Sequence, residues 1–256
     1  MPIRIPQEER PVGVVLGGGG FKGAFQAGVL QAMQREGVPI DVVCAVSVGS
    51  LNGALATQGD IGLLEEVWLS IDAAGPKAIF DYWPIYKQPF KKSLCSNRGL
   101  RNLLVKYVRP DKLKNSSIKF YFCATCLEDG QLRYFDNSSD HIIDGLLASC
   151  AAPVFFEPVE IEGRHYVDGG VLCNVPVRKA LEAGCNLIFP VMTSQKEPEA
   201  FAPSLSRISV ARRSLDLLMH SRDSADLEIA HLLAEKAKGQ WSQSVGAKYV
   251  GGNKEG

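Results

Sequence analysis

Ser47 stands at the centre of Ala45-Val46-Ser47-Val48-Gly49, between a β-rich apolar run, Ile40 to Ala45, and a small-residue stretch that reads as the start of a helix. A strand that passes into a helix through a sharp turn projects its central side chain out of the sheet, which suits a nucleophile. Ala45 takes the place of the usual first glycine of such an elbow, and Gly49 keeps the second. A serine at a helix start also suits an N-cap, so two roles compete for Ser47.

Upstream, Gly18-Gly19-Gly20-Phe21-Lys22-Gly23 occupies the first strand-to-helix junction. Consecutive glycines let backbone N–H groups point outward, and the helix behind them adds positive potential, so the loop is expected to bind an anion, either a phosphate or a transient oxyanion. The string also satisfies G-x-G-x-x-G, the dinucleotide fingerprint, whose second strand should end in an acid. Asp41 has about the right spacing but opens its strand, and Ser47 follows where the acid should stand. Lys22 precedes its glycine and no G-K-S/T occurs, which excludes a Walker A loop. Adjacent parallel strands would bring the glycine loop and Ser47 to one carboxyl edge of the sheet, making them one site. A third signal, Asp168-Gly169-Gly170, follows the Tyr166-Val167 strand and suits a tight turn that holds a carboxylate over a cleft.

Together these segments resemble the patatin-like phospholipase family of serine acyl hydrolases. The resemblance runs through Gly18 to Gly23, Ala45 to Gly49, Ala148-Ser149-Cys150-Ala151-Ala152-Pro153 with Phe156 and Pro158, Asp168 to Gly170 and Asn174-Val175-Pro176-Val177, across residues 10–192. It implies a patatin-like, three-layer α/β/α fold with a mainly parallel central sheet, and a lipid acyl hydrolase of phospholipase A or lysophospholipase type. Ser47 would be the nucleophile and Asp168 its partner in a Ser-Asp dyad, forming an acyl-enzyme. Gly18, Gly19, Gly20, Lys22 and Gly23 would make the oxyanion or anion site, with Gly19 and Gly20 as the N–H donors. Ala45, Gly49, Gly169 and Gly170 would support the elbow and the turn. The expected substrate is a phospholipid or another acyl ester, and no cofactor is implied. A thioesterase or small-ester esterase would use the same residues, and a catalytically weak lipid-binding or regulatory domain is the alternative of another class.

A Ser-His-Asp triad would need His220 or His231, both in a helical stretch, since His141 precedes Asp168 and His165 lies an odd number of residues from it in a strand. Cys123-x-x-Cys126 has no second cysteine pair and no H-x(3-5)-H, so no metal site is expected. Phe80, Trp83, Tyr86 and Phe90, interleaved with prolines and followed by Lys91 and Lys92, read equally as an acyl channel or lipid-touching surface and as a packed cover over the sheet.

The positioning elements follow from periodicity. Val12 to Leu16 predicts a strand, Phe21 to Glu36 a helix, Ile40 to Ala45 a second strand, and the stretch after Ser47 a second helix. Alternation of this kind implies a parallel sheet with right-handed crossovers. Asp60 opens a further helix; Lys119 to Leu127 with Gln131 to Phe135, and Val159 to Val167, predict hairpins around Asp129-Gly130 and Glu162-Gly163. Asp140 to Cys150 and Val177 to Ala183 predict helices, Asn186 to Val191 a buried strand, and residues 206–238 one long or two shorter helices packed on the sheet. The expectation is one domain over residues 1–256, with a core about 10–192 and a helical extension about 204–240.

The chain has 256 residues, 46% hydrophobic and 22% charged, with 28 basic against 28 acidic, the composition of an ordinary globular protein. Zero formal charge supplies no global field for a phosphate backbone, so nucleic acid is not an expected partner. Gly145 to Phe156, the longest nearly apolar stretch, is too short to span a bilayer. The leader MPIRIPQEERP lacks the basic-then-apolar pattern of a secretory signal, and seven cysteines make an odd set scattered through apolar segments. Cytoplasmic residence, with peripheral membrane contact through the aromatic stretch, is the expectation.

Overall fold

Charge-free apolar runs build the centre of the sheet: β1 (Val12–Leu16) and β2 (Val42–Val46) are buried at every position, as parallel strands covered on both faces must be. The computed structural model describes residues 4–83, 92–193 and 207–238, less the side chains at 207, 208, 211, 212, 215, 220 and 234–238. Within these, the chain is an α/β protein. A 3-10 turn (Gly20–Lys22) leads from β1 into α1 (Gly23–Arg35), and β2 passes directly into α2 (Val48–Thr57). Then come α3 (Leu63–Ala74) and a two-residue ribbon of β3 (Asp81–Tyr82) and β4 (Cys95–Ser96). Two helices that the sequence reading does not assign follow, α4 (Arg98–Tyr107) and α5 (Pro110–Lys114). Buried Leu100, Leu104 and Tyr107 at helical spacing, and Pro110 at a first turn, are the signals that mark them. The remaining elements are β5 (Lys119–Cys126), β6 (Leu132–Asp136), α6 (Ile142–Ser149), β7 (Val159–Ile161), β8 (Arg164–Asp168), α7 (Val177–Glu182), β9 (Leu187–Val191) and α8 (Arg207–Lys238).

The main sheet runs β7-β8-β5-β2-β1-β9, with β6 also on β5. The pairs β9-β1, β1-β2 and β2-β5 are parallel, and β6 and β8 run against them. Alternate residues enter two cores. Val14, Leu16, Val43 and Ala45 face the larger one, with α1, α2, α3 and α6; Val15, Val42 and Cys44 face the smaller, with α7 and with Leu227 and Ala230 of α8. The result is the expected three-layer arrangement. The long helix is single, as one reading of the sequence has it, but its principal contacts are with α7 and the turn after β8 rather than with the sheet.

Two features of register place the site. Leu16 pairs with Ala45, so the glycine loop and Ser47 leave neighbouring strands at the same carboxyl edge. On β5, β6 takes one edge from Tyr121 to Thr125. The other edge is shared: β2 covers it as far as Cys123, opposite Val46, and β8, arriving antiparallel, takes over at Ala124, opposite Asp168. The strands that deliver Ser47 and Asp168 therefore end head to head on one edge of β5.

Candidate active site

Ser47 has φ 54° and ψ −133°, a left-handed conformation that L side chains rarely adopt. The turn between β2 and α2 requires it, because Ser47 alone separates the strand from the helix. Such a backbone costs about 1–3 kcal/mol and persists only where its surroundings hold it. Here the Ser47 N–H donates to Ser149 Oγ at 3.0 Å, while its carbonyl accepts the Ser50 N–H at 2.8 Å and the Cys150 thiol at 3.0 Å. Burial holds the Cys150 pKa well above its ordinary value, so the thiol keeps its proton and donates it. Ser149 and Ser50 share a further hydrogen bond of 2.7 Å. Gly49 is indispensable to this turn: a Cβ there would lie 2.3 Å from the Leu16 carbonyl oxygen. The room that a first elbow glycine would supply is found on α2, where Gly53 faces Ala45 and a Cβ on Gly53 would lie 3.4 Å from that of Ala45.

The Ser47 side chain makes no capping bond to α2. Its Oγ donates instead to Asp168 Oδ2 at 2.7 Å, across 121 residues of sequence. Asp168 spends its other oxygen on its own turn, Oδ1 accepting the Gly170 N–H at 2.8 Å. Both residues are buried, Ser47 7% and Asp168 3% exposed. Burial raises the Asp168 pKa to about 6 against the opposing hydrogen bonds from Ser47 and Gly170. A carboxylate with that pKa is ionised at neutral pH yet is a better base than a solvated one. Gly169 lets the turn press onto β5, since a Cβ there would stand 2.5 Å from the Cys123 carbonyl oxygen.

The glycine loop divides by role. The Gly18 N–H is committed to the Asn174 carbonyl at 3.2 Å, and a Cβ on Gly18 would lie 2.3 Å from Asn174 Oδ1. Gly23 N–H turns inward to close the 3-10 turn, and its missing side chain admits Val48 and Trp68. The N–H groups of these two glycines are thus engaged within the fold, and their missing side chains serve close packing. The N–H groups of Gly19 and Gly20 have no hydrogen-bond partner among the described residues. Lys22 is exposed on the outside of the turn. Beneath the loop lies a buried network absent from the sequence reading. Gln26 donates to the carbonyls of Gly17 (2.7 Å) and Val191 (3.1 Å); Asn52 donates to Gly23 O and Gln26 Oε1; Trp68 donates to Asn52. A glutamine and an asparagine on otherwise apolar helix faces are the signal for it.

The competing readings separate on geometry. His165 pairs with Glu128 at 2.8 Å, His141 with Glu162 at 3.3 Å, and His231 is exposed on α8. The His220 side chain falls outside the described residues. Asp41, the candidate acid of a dinucleotide site, precedes β2 at the amino end of the strands, where it is ion-paired with Arg10 and accepts the Val12 N–H at 2.7 Å. It lines a cleft of about 450 Å³ there, at the opposite end of the sheet from the glycine loop. Cys123 and Cys126, three residues apart on β5, project to opposite faces, and among the described residues no group of three metal-ligating side chains gathers. Phe80 is half-buried at the hub of a ring cluster with Phe21, Tyr82, Phe155 and Phe156, centroids 5.2–6.2 Å apart, which supports the packed-cover reading for this residue. Trp83 is half-buried, and Tyr86 and Phe90 lie outside the described residues.

Fold and site together define a three-layer α/β domain with a serine and a buried carboxylate paired at the carboxyl edge of its parallel strands. The chain belongs to the patatin-like phospholipase family, whose model matches residues 14–181. It is similar to lysophospholipase nte1 of Aspergillus terreus, 27% identical over 213 residues. Likewise it resembles lysophospholipase NTE1 of Saccharomyces cerevisiae, 27% identical over 217 residues. These matches take in 77% and 76% of this chain but only 13% and 12% of those proteins, so the chain spans a small part of the relatives' length. Among solved structures it is similar to VipD from Legionella pneumophila, with TM-score 0.44 and 17% identity over 64% of this chain and 46% of that one. Among the described residues no helix is long and apolar enough to cross a membrane.

Proposed function

We propose that this chain hydrolyses carboxylic esters of phospholipids or lysophospholipids through Ser47 and Asp168. The observation that carries this reading is the 2.7 Å hydrogen bond from Ser47 Oγ to a buried aspartate whose pKa stands at about 6. Asp168 Oδ2 takes the hydroxyl proton as Ser47 Oγ bonds to the ester carbonyl carbon. The proton then passes to the leaving alcohol oxygen as the carbon–oxygen bond breaks, leaving an acyl-serine. Water, deprotonated by the same carboxylate, attacks the acyl carbon, and Ser47 leaves with the proton. The free N–H groups of Gly19 and Gly20 stabilise the oxyanion of each tetrahedral intermediate, worth about 3 kcal/mol per donor in comparable sites. The names of the relatives, both lysophospholipases, favour a lipid ester over a small soluble one.

Access to lipid is supported by the rim of the glycine loop, where Phe21, Phe25 and Tyr82 are exposed beside the Phe80 cluster. Aromatic rings of this kind suit the boundary between headgroups and acyl chains. On this reading the chain is one patatin-like domain, with α8 as an extension of it.

Hydrolysis of a p-nitrophenyl ester series by the unaltered protein, Ser47→Ala and Asp168→Asn, each first verified as folded, tests the proposal. Turnover that prefers longer acyl chains and is lost in both variants upholds it. An inert protein, or variants that keep its rate, overturns it.

A further inference from the structure

Helix α8 carries Met219, Asp223, Asp226, Leu227 and Ala230 on one face, at spacings of four, three, one and three residues. This face is anchored beside the dyad. Asp223 Oδ1 accepts Asn174 Nδ2 at 2.6 Å, and Asp226 Oδ2 accepts the N–H groups of Asn174 and Val175, both at 2.9 Å. Leu227 and Ala230 pack on the core that contains Val175, Val177 and Ala180. Asn174 is also the residue whose carbonyl holds the Gly18 N–H, so the helix and the glycine loop share one anchor.

One turn ahead of Asp223, the Met219 methyl group reaches over the two glycines that flank the dyad. It lies 3.2 Å from where a Cβ on Gly18 would be and 3.1 Å from where a Cβ on Gly170 would be. The Gly18 position is itself 3.2 Å from Ser47 Cβ. The Met219 methyl group thus fills space left by the missing side chains of Gly18 and Gly170, and the Gly18 position borders Ser47. Methionine fills irregular apolar space and yields to different shapes, and as a weak acceptor it offers little to a charged headgroup.

We propose that Met219 is the wall of the acyl-binding pocket and sets which acyl chains reach Ser47, with Asp223 and Asp226 as the residues that position it. This inference rests on the hydrolase reading above for its substrate class. In a closely fitted apolar pocket one methylene changes discrimination about 10–200-fold, so the side chain at this position should govern chain preference.

The test compares Met219→Ala, Met219→Phe and the near-isosteric Met219→Leu on p-nitrophenyl butyrate and dodecanoate, together with calorimetric binding of dodecanoate to Ser47→Ala with and without each change. The ratio of kcat/KM for dodecanoate over butyrate is expected to rise about 10-fold in Met219→Ala and to fall about 10-fold in Met219→Phe, with Met219→Leu close to the unaltered protein. Dodecanoate binding should follow the same order. An unchanged ratio, or an equal loss on both esters in every variant with unchanged dodecanoate binding, overturns the assignment. Dodecanoate binding that depends on position 219 in a protein without esterase activity would uphold the wall and overturn the dyad reading instead.

Discussion

Ser47 and Asp168 are bonded to each other without an intermediary: Oγ lies 2.7 Å from Oδ2, and the second carboxylate oxygen is fixed by the Gly170 N–H. The carboxylate is thus oriented by its own turn, and its proton affinity is set by burial rather than by a third residue. One ionisation near the reaction should therefore govern the rate.

With the Asp168 pKa at about 6, the active, ionised form should fall to about a tenth at pH 5 and reach about nine-tenths at pH 7. On a logarithmic scale kcat/KM for a soluble ester should approach a slope of one below pH 5, bend near pH 6 and stay level from about pH 7 to 8. A flat profile between pH 4 and 8 would remove Asp168 from the role of base.

Stability should run the other way. The folded pKa of Asp168 exceeds its unfolded value of about 3.9, so the native state binds more protons between about pH 4 and 6 and loses stability as pH rises through that window. The shift corresponds to about 3 kcal/mol. Asp168→Asn removes this cost, and after allowance for its altered hydrogen bonds it should be about 1–3 kcal/mol more stable than the unaltered protein at pH 7.5. Urea unfolding at pH 4.5 and 7.5 reads the difference, and equal pH slopes for the two proteins would contradict it.

Ser149 is a positioning residue for the elbow. Its replacement by alanine leaves the buried Ser47 N–H without an acceptor, which costs about 1–3 kcal/mol. Because the hydroxyl it aims is displaced rather than removed, kcat should drop about 10-fold or more with little change in KM. Steady-state kinetics beside a thermal melt separates this from general destabilisation, which would alter the melt alone.

Two glycines make a matched pair for stability. Gly49→Ala drives a Cβ to 2.3 Å from backbone at Leu16 and should prevent folding or cost more than about 2 kcal/mol. Gly28→Ala, in α1 with open space around it, should gain about 0.5–1 kcal/mol. Melting temperatures of the two proteins should move in opposite directions.

The elements that frame the site were legible because each carries a local pattern: an apolar run, then glycines or a small-residue turn, then helical spacing. Ser47, Gly19, Gly20 and Asp168 each sit at such a junction, as does α8 in its helical spacing. The bonds that make them a site span far more chain. Ser149 reaches Ser47 across 102 residues and Asp168 across 121; the first contact depends on α6 packing against α2, and the second on β8 taking over the edge of β5 where β2 ends. Register of that kind is fixed by packing of whole strands and leaves no mark at the residues that meet. For the same reason Gly19 and Gly20 could be named as donors while the part played by Gly18 and Gly23 could not: only the placement of Asn174 and Val48 shows that these two make room.

The left-handed backbone at Ser47 also bears on how such a sequence drifts over generations. Selection for folding alone works against a serine there, because glycine adopts that conformation without strain. A gene copy released from the demand for turnover would be drawn toward glycine at this position and would gain robustness as it fell silent, while the surrounding motif stayed readable. On the hydrolase reading, glycine at this elbow would be a sharper mark of lost hydrolysis than divergence on the surface.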